Sequence, residues 1–470
     1  MTCDRRANNI VVMGNETGHR EHVAAVDRLR AQYSALPGDL PVRLAKPTSN
    51  LFRFGRSGAT ARLDVSAFNR VLEIDPAAKT ARVGGMTTYE DLVDATLAHG
   101  LMPTVVPQLK TITLGGAIAG LGIESSSFRN GLPHEAVLQL EVLTGDGEVI
   151  TATPDGAHAE LFRGFPNSYG TLGYTLSCVI ELEPVKPYVR LRHVRSSGAA
   201  ETAELLSEVC TSGRYLGGPV DFVDGTVFTA RQQYVTLGTF TDRAPQGTSD
   251  YTGQRIFYRS IPLRELDYLT TQDYLWRWDT DWFWCSAALG VQHPLVRRLW
   301  PAAQRRSDVY RRIVAFERRH QLTNRFSRIA GRPRREPVIQ DIEVPVARLP
   351  EFLEFFDREV GIRPVWLCPL KLRADRPWPL YPLQPGELYV NVGFWATAPL
   401  PKGAADGHYN RLVERKVTEL GGHKSLYSTA FYLEDEFWRL YNGDVYRRLK
   451  KEYDPAGRLP DLYAKTVLGN

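Results

Sequence analysis

Apolar residues recur at helical spacing within 20–36, where Val23, Val26, Leu29 and Leu36 share a face, and this predicts a helix. Strand-like runs follow at 42–44, 61–65 and 71–74; Asp75-Pro76 reads as a turn and 81–83 as the returning strand. Thr87 with Glu90 three residues on matches a capping box for a helix over 91–99, which Gly100 closes in a left-handed stop. Strands are predicted at 137–144 and 148–153 around the turn Gly145-Asp146-Gly147, and at 175–183, bounded by Pro184 and Pro187. Beyond about 190 the composition changes. Strand patterns at 220–222, 234–240, 338–346, 389–395 and 427–433 alternate with helical ones at 349–356, 409–420 and 434–441. The order predicts an α+β chain: an α/β domain first, then a domain built on an antiparallel sheet.

A chain of 470 residues, 43% apolar and 24% charged, is globular and too long for one core. Aromatic content of 10% points to large apolar cavities or interfaces. No run of eighteen uncharged apolar residues exists, and the polar first twenty residues lack a signal-peptide h-region, so a cytoplasmic protein is expected. The five cysteines are scattered and odd in number, which supports neither a disulfide framework nor a metal site. Charge is uneven: 293–336 holds thirteen Arg against Asp308, Glu317 and Glu336, whereas the whole chain is only +5. Apolar residues recur between its Arg pairs. Such a stretch suits peripheral docking on an anionic membrane face or an acidic carrier, and equally a solvated helical face followed by a mobile loop. No nucleic-acid motif accompanies it.

Thr113-Leu114-Gly115-Gly116-Ala117-Ile118-Ala119-Gly120-Leu121-Gly122-Ile123-Glu124-Ser125 is the strongest local signal for chemistry. A helix opening at Gly115–Gly116 would aim N–H groups at an anion, and glycine would let a pyrophosphate approach closely. Tight packing explains such glycines as well. Neither GxGxxG after a first strand nor GxxxxGK[ST] is present. Gly170-Thr171-Leu172-Gly173 is a second such loop.

The run TLGGAIAGLGIESSSFRNG, followed by EVLTGDGEVITATP and ELFRGFPNSYGTLGYTLSCVIELEPVKPYVRLR, resembles the vanillyl-alcohol-oxidase (PCMH-type) FAD-binding fold. Within it the chain is similar to the Δ24-sterol reductase family, and the likeness resumes in VIQDIEVPVARL, PVWLCPLKL, ELYVNVGFW, DEFWRLYNGDVYRRLK and PDLYAK. The resemblance implies an FAD-binding domain over 1–190, a substrate domain over 191–435 and a segment, 436–470, returning to the first. It implies FAD along Thr113–Ser125, touched also by Thr171 and Gly173. The early loop Thr48-Ser49-Asn50-Leu51-Phe52-Arg53 has no His for covalent attachment, so a dissociable flavin is expected. The N-terminal membrane anchor of the eukaryotic sterol reductases is not expected here.

In chemical terms, the resemblance implies an NADPH-driven reductase of a lipid C=C bond. The preferred substrate is a methylene-branched fatty acyl chain, as in tuberculostearic acid synthesis; a Δ24-sterol comes second, and an alcohol or sugar oxidase or dehydrogenase on the same fold third. Reduction needs a hydride at one carbon and a proton at the other. Tyr389, Glu343, Asp341 and Lys371 are the candidate acids, and Lys465 is a cation candidate beside the flavin. Each also has a plain structural reading. Trp276, Trp278, Trp282 and Trp284, at period-2 spacing, read as the wall of a lipid tunnel or as ordinary core.

Overall fold

The strand Tyr174–Pro184, whose first five residues are all buried, organises the first sheet. It pairs antiparallel with Thr80–Gly84 on one side and Val137–Leu143 on the other, and beyond Thr80–Gly84 with Leu101–Pro103. Hairpins to Val71–Asp75 and Val149–Ala152 complete six strands. The computed structural model describes residues 15–46, 52–53, 59–320 and 334–469. The first domain's sheet is antiparallel, as the predicted hairpins require. Its short turns at 76–79 and 144–148 can join only antiparallel neighbours, and Val42–Leu44 with Ala61–Leu63 runs parallel, as does the isolated bridge of Phe52 with Ser428. Helices Tyr89–Leu97 and Leu114–Ala119 cover the sheet through Leu92, Val93, Leu114 and Ile118, packed on Val83, Val142 and Ile180. The helix Asn15–Ser34 adds Ala25, Leu29 and Tyr33 against Leu63, Phe68 and Leu143.

The second sheet has eight strands, in the order Leu266–Thr270, Tyr188–Ser196, Gln232–Thr241, Phe222–Thr229, Val365–Leu370, Tyr389–Pro399, Arg335–Pro345 and His423–Lys424. Side chains alternate across it. Val223, Val235, Ile342, Val344, Leu367, Val390 and Val392 pack under helices Ala199–Ser212, Leu349–Glu359 and His408–Glu419. The alternate positions, among them Phe222, Asp224, Asp341, Glu343, Trp366, Cys368, Asn391 and Trp395, turn toward the first domain. One face of this sheet is thus a helix-covered core, and the other carries acids and aromatic rings.

Two local expectations are corrected. The cap of the second helix is Thr88, which accepts from Asp91 N–H at 3.2 Å; Glu90 instead pairs with Lys110 and Arg306. Residues 427–433 form no strand, because their backbone groups are taken elsewhere: Ala430 N–H by Thr466 and Phe431 N–H by the Glu414 carboxylate. The tryptophans of 276–284, though spaced by two, are buried without forming a strand. They lie in turns around Asp279–Asp281, with Trp282 and Phe283 both left-handed at φ 46 and 59. Among the described residues no helix is long and apolar enough to cross a membrane.

Candidate active site

Two adjacent glycines of the first loop divide the work. A Cβ on Gly115 would meet the Gly85 carbonyl at 2.7 Å, so Gly115 exists to let the helix sit on the sheet. Gly116 is exposed while its neighbours are buried, and a Cβ there would meet only the Thr113 hydroxyl, at 2.9 Å. The helix start is not free to bind an anion by its first amides: Leu114 N–H donates to Thr87 O and Gly115 N–H to Gly85 O, both at 2.9 Å. The charge is supplied instead by Lys46, whose Nζ donates to Thr113 Oγ1 at 3.1 Å and whose pKa burial lowers to about 8. Lys46 went unnoticed in the sequence; a lone Lys before a proline carries no signal there.

The second loop meets the first at Tyr169, whose N–H donates to Ala119 O at 2.7 Å and whose φ is 51. The Arg53 guanidinium lies 4.7 Å from the Tyr169 ring centre, and burial lowers its pKa to about 10. Lys465 Nζ donates to Tyr169 O at 2.6 Å; burial, then Arg53, Arg43 and Lys450, hold its pKa well below the ordinary lysine range. Lys450 similarly clamps Thr171 O at 2.8 Å. Segment 443–468 thus seals this side of the first domain.

Opposite stand the acids of the second sheet. Asp341 and Glu343 lie two apart on Arg335–Pro345, so both project from the same face. Glu343 is fully buried, and burial followed by the nearby Asp341 raises its pKa well above the usual range. Asp341 keeps partial exposure; burial raises it to about 7, against weaker stabilisation of its anion from Asn391 and Tyr427. Asp341 Oδ1, Glu343 Oε2 and both polar atoms of the Asn391 side chain have no hydrogen-bond partner of normal geometry among the described residues. Both carboxyls also act electrostatically on Tyr169, which ties this face to the cofactor loops. Beside them is an aromatic wall. Phe283 stacks within 4.3 Å of Trp395 and 5.0 Å of Trp278, Trp284 lies 5.4 Å from Trp395, and Trp395 Nε1 donates to Tyr427 OH at 2.9 Å.

The sequence-derived candidates separate accordingly. Thr113 to Gly120, Asp341, Glu343 and Lys465 come together. Glu124 and Ser125 do not reach the cradle. They enter a buried network in which Arg277 bridges Glu124, at 3.4 Å, and Asp224, at 2.7 Å, while Ser125 bonds Tyr274. Gly122 packs against Pro107 and Pro133; Leu121 and Ile123 pack into a cluster with Leu370, Tyr381 and Tyr389. Tyr389 belongs to that cluster, its hydroxyl accepting from Gln384 N–H. Lys371 is exposed at the strand end, because the chain turns outward there to bond Ser127 O. The Thr171 hydroxyl is spent on Ser168 O, and a Cβ at Gly173, φ 150, would strike Val142: both shape the loop. Residues 48–51 and 321–333 of the early loop and basic segment lie outside the described residues. Much of the described basic segment is internal, since Arg297 and Arg305 are buried among carbonyls and Arg306 pairs with Glu90.

The residues gathered between the two loops and the second sheet have the polarity that FAD requires. Lys46, Arg53, Tyr169, Asp341, Tyr427 and Lys465 are deep in the protein yet partly accessible. Buried Thr87 Oγ1, Thr111 Oγ1 and Ser168 Oγ lack protein partners among the described residues, as groups awaiting a polar ligand do. Gly116 leaves room for close approach. A model of the FAD binding domain family matches residues 19–153. The chain is an FAD-dependent oxidoreductase with an FAD-binding domain and an antiparallel-sheet second domain, and its fold is similar to that of the vanillyl-alcohol-oxidase (PCMH) type. More narrowly, the chain resembles the Δ24-sterol reductases. It is 28% identical over 454 residues to Delta(24)-sterol reductase of Arabidopsis thaliana, covering 87% of this chain and 76% of that one. It is 26% identical over 411 residues to that of Homo sapiens, covering 84% and 75%. Cytokinin dehydrogenase 2 of Oryza sativa subsp. japonica is 32% identical over 177 residues, 37% of this chain and 30% of its own.

Proposed function

We propose that the protein reduces an isolated, branched C=C bond of a lipid, with NADPH as donor and dissociable FAD. The preferred substrate is a methylene-branched fatty acyl chain, converted to the methyl-branched one. The observation carrying the reading is a pair of buried carboxyls held protonated beside an aromatic wall, on the face opposite the cofactor cradle. Bound FAD, once reduced, supplies the hydride. Asp341, the more accessible carboxyl, delivers the proton to the other alkene carbon. A branched alkene suits this division, since positive charge develops on its more substituted carbon. Glu343 stays neutral behind Asp341, because a second anion in so dry a position is costly. The Trp278, Phe283, Trp284 and Trp395 rings offer apolar walls and exclude water from the developing cation. Thr113, Lys46 and Gly116 hold the pyrophosphate, and Arg53 places positive charge near the flavin, with Lys465 fixing the Tyr169 carbonyl beside it.

A Δ24-sterol is the second reading, supported by the names of the relatives spanning most of the chain. Oxidation of an alcohol or sugar fits less well, since it asks for a polar substrate pocket. The test is anaerobic titration with NADPH, following loss of flavin absorbance, then addition of a methylene-branched phospholipid or a Δ24-sterol. Bleaching by NADPH and reoxidation by one of these alkenes supports the reading and selects the substrate. Bleaching by alcohols or sugars and not by NADPH overturns it.

A further inference from the structure

The short helix Pro294–Leu299 is inside out. Its only charged side chain turned to the interior is Arg297, which is buried, binds both Asp281 oxygens at 2.7 and 3.1 Å and donates to Gly253 O at 2.8 Å. Its apolar residues face outward: Leu295 is 67% exposed and Leu299 84%. They stand four apart, one above the other on the same helical face. Val296 and Arg298 flank them, both exposed. A helix folding for its own stability would bury the leucines and solvate the arginines. Here the Asp281 ion pair and three backbone carbonyls hold the reverse orientation in place.

Charge identifies what the leucines meet. No acidic residue occurs from 282 to 307; within it Arg298 is exposed, whereas Arg297 is taken by Asp281, Arg305 by carbonyls and Arg306 by Glu90, and Arg312 of the following helix is exposed and pairs with Asp308. Exposed leucines beside an exposed arginine, on a helix without a carboxylate, match an anionic lipid surface: acyl chains for the leucines, headgroup phosphate for Arg298. The lobe is also continuous with the candidate active site. Trp300 and Tyr310 pack behind the helix, Tyr310 clusters with Trp282, and Trp282 stacks on Phe52 at 5.7 Å, which meets Tyr427 at 6.0 Å. Tyr427 is the neighbour of Asp341.

We propose that Pro294–Leu299 is a docking element, Leu295 and Leu299 entering the acyl region of an anionic membrane while Arg298 binds headgroup phosphate. This goes beyond the reductase reading and does not rest on it.

The test uses full-length holoprotein and sucrose-loaded vesicles of phosphatidylcholine with about a quarter phosphatidylglycerol, pelleted beside pure phosphatidylcholine vesicles. Neither NADPH nor an alkene substrate is present, so failure leaves the proposed reaction untouched. Wild type should pellet with the anionic vesicles, and Leu295→Ser/Leu299→Ser should bind about tenfold or more weakly. Arg298→Glu should weaken binding to anionic vesicles selectively. Flavin content and melting temperature check that each variant folds. Binding unchanged by the double substitution, or no binding by wild type, overturns the proposal. A wild-type dimer that the double variant converts to monomer, with no vesicle binding, overturns it in favour of a second copy as the occupant.

Discussion

Replacing Asp341 by Asn keeps the size of the side chain and removes the proton it would donate. With the carboxyl raised from 3.8 to about 7, the wild-type group is mostly protonated at pH 6 and mostly ionised by pH 8. The protonation half-reaction, followed by stopped flow as reoxidation of NADPH-reduced enzyme by the alkene, should therefore slow as pH rises through about 7. Loss of a positioned general acid costs roughly 10²- to 10⁴-fold, so Asp341→Asn should slow reoxidation by that factor and abolish the pH limb. Bleaching by NADPH makes no use of Asp341 and should change little. The same shift bears on stability, with a definite sign. Between about pH 4 and 7 the folded state holds a proton that the unfolded state has released, so this group's contribution falls as pH rises across that window, by up to about 4 kcal/mol. Asn carries no such penalty. Asp341→Asn should gain melting temperature relative to wild type at pH 8 and lose that advantage at pH 4. Wild-type reoxidation that is flat from pH 5 to 9, or an Asn variant that retains the limb, refutes Asp341 as the donor.

Other expectations rest on the cradle and the interface between domains. Gly116→Val adds bulk only on the open side of the loop, so flavin affinity should fall at least about tenfold with the apoprotein fold unchanged by circular dichroism. Gly85→Ala, whose Cβ would collide with the Thr175 carbonyl, should instead abolish folding. Lys46→Met should weaken FAD binding about tenfold; in wild type, affinity measured by fluorescence quenching should decline as pH rises through about 8, where Lys46 loses its charge, and the Met variant should lack that decline. Arg277→Ala leaves Glu124 and Asp224 buried without their cation and should cost roughly 3–5 kcal/mol in urea unfolding.

Residue patterns disclosed the sheets wherever one face was apolar, as in Val137–Leu143 and Arg335–Pro345, because alternation survives in the sequence. They misread 427–433, where the backbone is bonded to a terminal turn and a carboxylate rather than to a strand. The spacing of the tryptophans carried no backbone information, since two left-handed residues, Trp282 and Phe283, place them in turns. Asp341 and Glu343 were visible as candidates, but acids on a strand ordinarily face solvent, and only the packing of the two domains shows them buried. Glu124 and Ser125 looked like part of the flavin loop through sequence adjacency alone. Their partners, Arg277 for Glu124 and Tyr274 for Ser125, lie 153 and 149 positions away. Lys46 and Arg53 were invisible as ligands, since no local spacing links either to residues 113 or 169.

The clamps on the second loop bear on how the enzyme matures. Lys450 and Lys465 are separated from the carbonyls they hold, those of Thr171 and Tyr169, by 279 and 296 positions. Val42, at the other margin of the first domain, likewise donates its N–H to Arg458 O. A ribosome that has finished the FAD-binding domain has made the cradle without its fasteners. Flavin loading is then expected to follow release of the complete chain, and apoprotein to be the species that meets chaperones and proteases in the meantime. Flavin supply during expression should accordingly govern yield as strongly as synthesis does.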